Sequence, residues 1–324
     1  MNFVNLLNIQ KGRTAFMGLA MLWVIAFHYS LLADTPLHYI LGKGYLGVDI
    51  FILLSSFGLC FSLKKNASYK EFIIRRLRRI VPTWWFLITI MLVVNIVLQR
   101  NHPHNLFQII CYYSGAGWWA FHNEPFGIYY YEWYIPTLLA FYLFIPLLYK
   151  LSNRRLAILL ILSIVGVLFL DYFCISPRLS LSYQRIPTFI YGILLYRMFI
   201  GQIDNKISNK YIHISSIIGA IIFLYAIVCR INNYIVICSF MFAMPLLFNM
   251  CNLLFRGRFN KVLSFIGTLT LELYLLHIYN LPLFVVMKVV GNRTLSIIIT
   301  TLILVGVSYI VSYTMAFLER KMKV

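Results

Sequence analysis

Acidic residues are scarce in this sequence. Of its 324 residues, 9 are Asp or Glu and 28 are Lys or Arg, and charged residues make up 11% of the total. Because soluble globular domains carry about 25% charged residues, this composition excludes an ordinary soluble protein. A side chain that can ionise is costly inside an apolar segment, so each one found there is a candidate functional residue.

Several recognisable signatures are also missing. The sequence has no Walker motif and no Rossmann glycine pattern, which excludes those two nucleotide-binding classes. Its six cysteines have no spacing typical of a zinc site or a disulfide framework, and we interpret them as small buried apolar residues. No internal repeat, Ser/Gly-rich linker or soluble insertion is evident, so we expect a single integral membrane domain over residues 1–324.

Apolar residues dominate what is present. They account for 61% of the chain. They recur in runs of about 20 residues, without the alternation typical of membrane strands. We therefore predict an all-α fold, a polytopic transmembrane helix bundle of about ten spans. The predicted spans are residues 14–33, 44–63, 80–98, 133–150, 156–172, 183–200, 211–229, 234–254, 262–280 and 294–318.

Basic residues favour one side of the predicted membrane. Every connecting segment on the side of the N-terminus contains Lys or Arg, and most of the 28 basic residues fall there. Since such residues concentrate in cytoplasmic segments, both termini are predicted to be cytoplasmic. The net charge of +19 then follows from topology and does not indicate nucleic-acid binding. A cationic inner face also favours anionic lipid headgroups and anionic metabolites.

The first span, KGRTAFMGLAMLWVIAFHYS, carries a histidine near its far end. On a helix Met17, Met21 and His28 share one face. Arg13 lies below that face, where its long stem can reach inward or toward the headgroups. These positions make His28 a candidate catalytic residue and Arg13 a candidate binding residue. The alternative is a His that is hydrogen-bonded inside the bundle and an Arg that only anchors the helix.

Five ionisable residues from five predicted spans lie at one depth, in the outer half of the membrane. They are His28, Asp49, Glu132, Arg185 and His277. Burying each of them costs a few kcal/mol, so we expect them to pair. We take the two His and the two carboxylates as catalytic candidates and Arg185 as a binding candidate. Glu272 precedes His277 by five residues, about 140° round the helix, so the two are not expected to share a face.

The densest cationic stretch precedes the third span and contains Arg75, Arg76, Arg78 and Arg79. Arginine suits phosphate recognition because its guanidinium presents a fork of donors. We therefore take these four residues as candidates for binding phosphates. The alternative is a solvated segment that serves only as a topology signal.

The long segment of residues 99–132 between the third and fourth spans is rich in aromatic residues and includes Trp118 and Trp119. Segments of this length are usually functional or disordered, and this one is too aromatic for disorder. Aromatic faces with a few polar groups commonly hold sugars, so the two Trp residues are candidates for binding an acceptor. The alternative is an aromatic belt at the membrane interface.

Five fragments, in this order along the chain, resemble the acyltransferase-3 family of integral membrane acyltransferases. They are MGLAMLWVIAFH, GYLGVDIFILLSSFGL, RRLRRIVPTWW, EWYIPTLLAFYLFIPLL and GTLTLELYLLHIY. The resemblance covers nearly the whole chain. One position departs from the family pattern, which has an Arg eleven residues before the His of the first helix. This chain has Met17 there, and Arg13 lies one turn lower.

The resemblance implies transfer of an acyl group, often acetyl, from a cytosolic acyl-CoA to a hydroxyl of a carbohydrate or lipid-linked glycan at the outer side. The essential His of the family corresponds to His28. A neutral imidazole can act as general base or accept the acyl group itself, and both routes stay open. Asp49 or Glu132 would fix the tautomer of His28, and Arg185 would stabilise the oxyanion. The inner arginines would hold the CoA phosphates; neither a bound cofactor nor a metal is needed.

We therefore predict a multi-pass O-acyltransferase of the bacterial inner membrane. Its partners would be acyl-CoA, a cell-envelope or exported glycan, and membrane lipids. The alternative class is a polysaccharide exporter or proton-coupled transporter, in which the catalytic candidates would relay protons. A third possibility is a component of polysaccharide synthesis that keeps the fold without catalysis. Acyl-CoA binding distinguishes the enzyme from the transporter.

Overall fold

The computed structural model describes residues 6–30, 41–65, 68–99, 102–121, 133–173, 179–201, 205–278 and 281–321. These residues form helices joined by short turns, and no strand occurs among them. The predicted all-α fold is thus confirmed. Side-chain caps begin several helices, as at Asn105, Ser152 and Asn232, whose side chains each accept a hydrogen bond from a backbone N–H of the first turn.

We number the helices of the described residues α1 to α15 in chain order, and a short 3₁₀ turn, Gly44–Leu46, leads into α2. The helices are α1 (Leu6–Ser30), α2 (Gly47–Lys65), α3 (Tyr69–Val97), α4 (Leu106–Ser114), α5 (Gly117–Phe121), α6 (Tyr134–Lys150), α7 (Asn153–Tyr172), α8 (Ser180–Tyr183), α9 (Ile186–Phe199), α10 (Asn205–Val228), α11 (Asn233–Leu254), α12 (Gly257–Thr268), α13 (Thr270–His277), α14 (Leu281–Val290) and α15 (Arg293–Lys321).

Each predicted span overlaps at least one of these helices, but not every helix is long and apolar enough to cross a membrane. Within the described residues six are: α2 with its 3₁₀ turn, α3, α7, α10, α11 and α15. A seventh span results if α12 and α13, which meet at an angle of 68°, count as one. The apolar α6 has only 17 residues, whereas a span needs about 20. The count of ten and the placement of the termini stay predictions.

The chain divides into two compact units. The first consists of Met1–Met17, Val48–Phe72 and Ala140–Ser264. In it, α7 packs against α9, and α10 packs along α11. Every residue of α9 from Pro187 to Arg197 is buried, as expected of a helix that is apolar on all sides. This burial places the N-terminal end of α9 inside the unit, where any charge must find a partner.

The second unit consists of Gly18–Gly47, Ile73–Leu139 and Phe265–Val324. In it, α13 and α14 both pack against α15. The break between α12 and α13 falls at Leu269, and α13 is buried from Glu272 to His277. The second unit therefore buries an acidic residue and a histidine on a helix of only eight residues. The prediction of one domain over residues 1–324 stays a prediction.

Candidate functional site

Two histidines of the second unit meet at the ends of their helices. His28 lies near the end of α1 and His277 is the last residue of α13. Their rings pack edge to face, with centroids 5.0 Å apart and planes inclined by 63°. His277 is completely buried, whereas His28 is only partly buried. Pairing was predicted for the five ionisable residues as a group, without assigned partners. These two rings are in contact, and His28 is the more accessible of them.

The helix itself fixes the orientation of the His277 ring. Its Nδ1 lies 2.7 Å from the carbonyl oxygen of Tyr274 and 3.1 Å from that of Leu273. A carbonyl oxygen only accepts hydrogen bonds, so Nδ1 carries the proton and donates it. In the neutral ring Nε2 then carries the lone pair. That atom is buried and has no hydrogen-bond partner among the residues that the structure describes.

Aromatic side chains of the same unit surround the histidine pair. The ring of Phe27 packs edge-on against His28, with centroids 4.9 Å apart, and also against Tyr45 at 5.8 Å. Tyr274 packs against His277 at 5.4 Å and against Tyr134 at 4.9 Å. Such apolar surroundings strengthen the electrostatic interactions of the imidazoles, because few water dipoles are present to screen them.

Asp49 and Arg185 form a buried ion pair within the first unit. Oδ2 of Asp49 lies 3.6 Å from a guanidinium nitrogen of Arg185, and the side chains are 0% and 2% exposed. The hydroxyl of Thr188 donates to Oδ1 of Asp49 at 3.4 Å, and Arg185 donates to the Gln184 side chain at 3.2 Å. The pair therefore links α2 to the N-terminal end of α9. Its opposite charges compensate each other, as burial in an apolar interior requires.

α2 also packs closely on α9 further along both helices, at Ser56 and Gly192. A side-chain carbon at Gly192 would collide with the hydroxyl of Ser56 and would lie 2.7 Å from the carbonyl oxygen of Leu53. The hydroxyl of Ser56 donates to that same carbonyl at 3.0 Å. Ser56 is therefore a packing residue whose hydroxyl is already engaged.

An arginine-lined cavity of about 510 Å³ opens in the second unit. Three of the four arginines that we took as phosphate-binding candidates line it, namely Arg75, Arg78 and Arg79 on α3. All three side chains are exposed, whereas Arg76 is half-buried and does not belong to the lining. The opposite walls come from Thr268, from the first residues of α13 and from the end of α15. Three clustered guanidinium groups can bind an anionic ligand such as a phosphate.

The remaining candidates are dispersed. The guanidinium of Arg13 lies against Gly58 of α2, so its stem turns toward a neighbouring helix of the first unit. Trp118 is buried and Trp119 half-buried on the short helix α5. Glu132 lies outside the described residues. His28 and His277 come together, as do Asp49 and Arg185, but the two pairs belong to different units.

Most residues of the cavity lining were not among the predicted site residues, and two of them bear on its chemistry. Glu272 and Ser312 both contribute to its lining. Glu272 is only 7% exposed, and its Oε2 is buried without a hydrogen-bond partner among the described residues. In the sequence, the scarcity of acidic residues could have indicated Glu272 as a candidate. Ser312 gives no signal in the sequence, because only the packing of α15 on α13 brings it to the cavity.

These helices and buried ionisable groups define a multi-pass membrane protein with a histidine pair and an arginine-lined cavity. The sequence profile of the acyltransferase-3 family, described as an acyltransferase domain, matches residues 16–317. The chain belongs to this family. The resemblance of the five fragments is thus confirmed over nearly the whole length.

Two relatives carry names that describe an acetyltransferase. The protein ORF330 of Acidianus two-tailed virus, named as an acetyltransferase, is 33% identical over 151 residues, which is 45% of this chain and 44% of the relative. The peptidoglycan O-acetyltransferase OatA of Listeria monocytogenes is 31% identical over 125 residues, which is 34% of this chain and 19% of OatA. The chain thus spans less than half the length of each relative. No solved structure matches this chain.

Proposed function

We propose that this protein is an O-acyltransferase of the bacterial inner membrane. It moves an acyl group, most simply acetyl, from a cytosolic acyl-CoA to a hydroxyl of a cell-envelope or exported glycan. Family membership supports the acyl transfer. The name of the Listeria relative, a peptidoglycan O-acetyltransferase, supports a glycan hydroxyl as acceptor. The observation that carries the proposal is the contact of His28 with His277 in a buried, aromatic environment.

His28 acts as the general base in this proposal. It is the more accessible ring of the pair, so it can reach a substrate hydroxyl. The hydroxyl gives its proton to the imidazole while its oxygen attacks the thioester carbonyl. The carbon–sulfur bond then breaks, an oxygen ester forms, and the proton passes from the imidazolium to the departing thiolate. Atoms and charges balance with CoA and the acylated glycan as products.

His277 positions and supports His28. Its ring is held by the carbonyl of Tyr274, and its Nε2 has a lone pair directed away from that anchor. A buried lone pair beside the base stabilises the charge that develops on His28 when it accepts a proton. The roles expected for Asp49 and Glu132 in orienting His28, and for Arg185 at the oxyanion, stay predictions.

The donor occupies the arginine-lined cavity in this proposal. Arg75, Arg78 and Arg79 would bind the phosphates of acyl-CoA, and the cavity of about 510 Å³ has the size of a small-molecule site. Sites of this kind enclose about 300–1,000 Å³. The three arginines are exposed, which suits a ligand that arrives from the cytosol. The basic segments are predicted to lie on that side.

The proposal predicts that His28→Ala abolishes acetyl transfer while the protein remains inserted in the membrane. Cells that express the wild type or the variant would receive radiolabelled acetyl-CoA after permeabilisation, and label would be counted in the extracted glycans. We expect label with the wild type and a loss of at least about a hundredfold in the variant, since a general base contributes 10²–10⁴-fold.

His213→Ala is the matched control, because His213 lies on α10, in the other unit. It should keep the activity of the wild type. Equal label with the wild type and His28→Ala would contradict a catalytic role for His28. Absence of label with every variant, together with no binding of acyl-CoA to the purified protein, would favour the transporter.

A further inference from the structure

The arginine-lined cavity contains two carboxylates that a phosphate site does not need, the exposed Glu319 and the buried Glu272. Glu272 lies in its wall, is only 7% exposed, and is the most buried of the charged residues there. The carboxylate accepts hydrogen bonds from its own backbone and from the hydroxyl of Ser312, and Arg79 attracts it electrostatically. Even so, Oε2 of Glu272 is buried and accepts no hydrogen bond from any residue that the structure describes.

A buried acceptor without a donor is unfavourable, and so is a carboxylate close to bound phosphates. Leaving a buried polar group unsatisfied costs about 1–3 kcal/mol, and more for a charged group. A carboxylate also repels an anionic ligand and weakens its binding to the neighbouring arginines. Both costs are offset if the ligand brings a hydrogen-bond donor to Glu272 as well as its phosphates. The cavity therefore suits a ligand that carries both phosphates and a hydrogen-bond donor.

We propose that Glu272 is a specificity-determining residue that accepts a hydrogen bond from an amide N–H in the pantetheine arm of acyl-CoA. This inference rests on the proposed function and deepens it. The arginines recognise the phosphates, and Glu272 recognises the chain that links them to the thioester. A ligand with phosphates but no amide chain binds the arginines and leaves Glu272 without a hydrogen-bond donor.

The order of groups along the second unit fits such a ligand. Arg75, Arg78 and Arg79 are exposed at the cavity, Glu272 is buried in its wall, and His277 lies five residues further along α13. Five residues of helix rise about 7.5 Å. A donor whose phosphates contact the arginines and whose thioester reaches the histidines therefore passes Glu272 with its linking arm. The adenine ring, at the other end of the phosphates, does not.

The test compares two ligands on the purified full-length protein in detergent. Calorimetry would measure the dissociation constants of CoA and of adenosine 3′,5′-bisphosphate, which keeps adenine and phosphates but lacks the pantetheine arm. Glu272→Met keeps the volume and removes the acceptor, whereas Glu272→Gln keeps an acceptor oxygen. We expect CoA to bind Glu272→Met about tenfold more weakly, as for the loss of one hydrogen bond to a charged group.

The pattern across the variants separates recognition from a structural role. Glu272→Gln should bind CoA within about threefold of the wild type. Adenosine 3′,5′-bisphosphate should bind both variants as well as or better than the wild type, because a negative charge has been removed. Unchanged CoA binding by Glu272→Met would overturn this inference but not the proposed function. A parallel loss of both ligands would also overturn it.

A change in the ligand tests the same contact without any variant. Two CoA analogues, each with one pantetheine amide replaced by an ester, lose one N–H donor apiece. We expect one of them to bind the wild type about tenfold more weakly than CoA. If both analogues bind as well as CoA, Glu272 does not recognise the arm. If the wild type binds no CoA at all, the donor in the proposed function fails as well.

Discussion

At the scale of single residues, His277 has an orientation that its own helix dictates. Its Nδ1 donates to the carbonyl of Tyr274, which leaves Nε2 as the basic nitrogen. We expect His277→Asn to keep the donor, because the Asn amide nitrogen lies where Nδ1 lay, and to lose the basic atom. Transfer should fall about a hundredfold, while the thermal unfolding midpoint in detergent changes little.

His277→Leu is the comparison for this prediction, since it removes both nitrogens. It should lose activity and also lower the unfolding midpoint, because the carbonyl of Tyr274 loses its side-chain donor. Normal transfer by His277→Asn would show that the lone pair of Nε2 has no part in the reaction. Equal losses of stability in both variants would mean that the ring is held by packing alone.

The sequence allowed the choice of His28, Asp49, Arg185 and His277 because each is costly inside an apolar run. We expected these residues to pair without being able to assign partners, and the structure shows two contacts, between the histidines and between Asp49 and Arg185. Glu272 was harder to place. The helical wheel separates it from His277 by about 140°, and we expected one of them to lie away from the site. Since α13 is buried on all sides, both faces of the helix are interior.

At the scale of elements, the contact of α2 with α9 depends on a single glycine. A side chain at Gly192 would meet Ser56 and the carbonyl of Leu53. We expect Gly192→Ala to lower the free energy of unfolding by about 1–3 kcal/mol, as overpacking does. The measurement is thermal unfolding of the purified protein in detergent, with and without the compensating substitution Ser56→Gly.

Gly166→Ala provides the matched control within the same unit. Gly166 lies on α7, and a side-chain carbon there would meet nothing within 4 Å. Because Ala is favoured over Gly in helices by up to about 1 kcal/mol, this variant should be unchanged or slightly stabilised. Equal stability of Gly192→Ala and Gly166→Ala would show that α2 and α9 are not closely packed. Failure of Ser56→Gly to restore stability would show that the carbonyl of Leu53 is itself a sufficient obstacle.

The helices were predictable from apolar runs, but their interruptions were not. We expected one span over residues 262–280, whereas α12 and α13 meet at 68° near Leu269. The stretch around the bend contains Gly267 but no proline, so its local sequence does not specify a break. Beyond the bend, α13 packs on α15, a contact that the sequence does not show. The segment of residues 99–132 likewise contains α4 and α5. Aromatic residues of α4 pack on α3; for example, Tyr112 donates to the carbonyl of Ile88 at 2.7 Å.

At the scale of the whole molecule, the charge distribution is the feature that predicts the orientation of the chain in the membrane. An excess of 28 basic over 9 acidic residues is concentrated in alternate connecting segments. Because Lys and Arg near span ends remain in the cytoplasm, this pattern predicts that the N-terminus, the segment after Lys65, the segment after Lys150 and the C-terminus all face inward. The segment of residues 99–132 should face outward.

Reporter fusions test this topology directly. Green fluorescent protein joined after Lys65, Lys150 or Val324 should fluoresce, and alkaline phosphatase joined after Gln99 or Arg230 should be active, because each reporter functions on one side only. The outcome also bears on the proposed function, since the exposed arginines of α3 must face the cytosol to meet acyl-CoA. Phosphatase activity after Lys65 would place those arginines outside and contradict both the orientation and the assignment of the donor site.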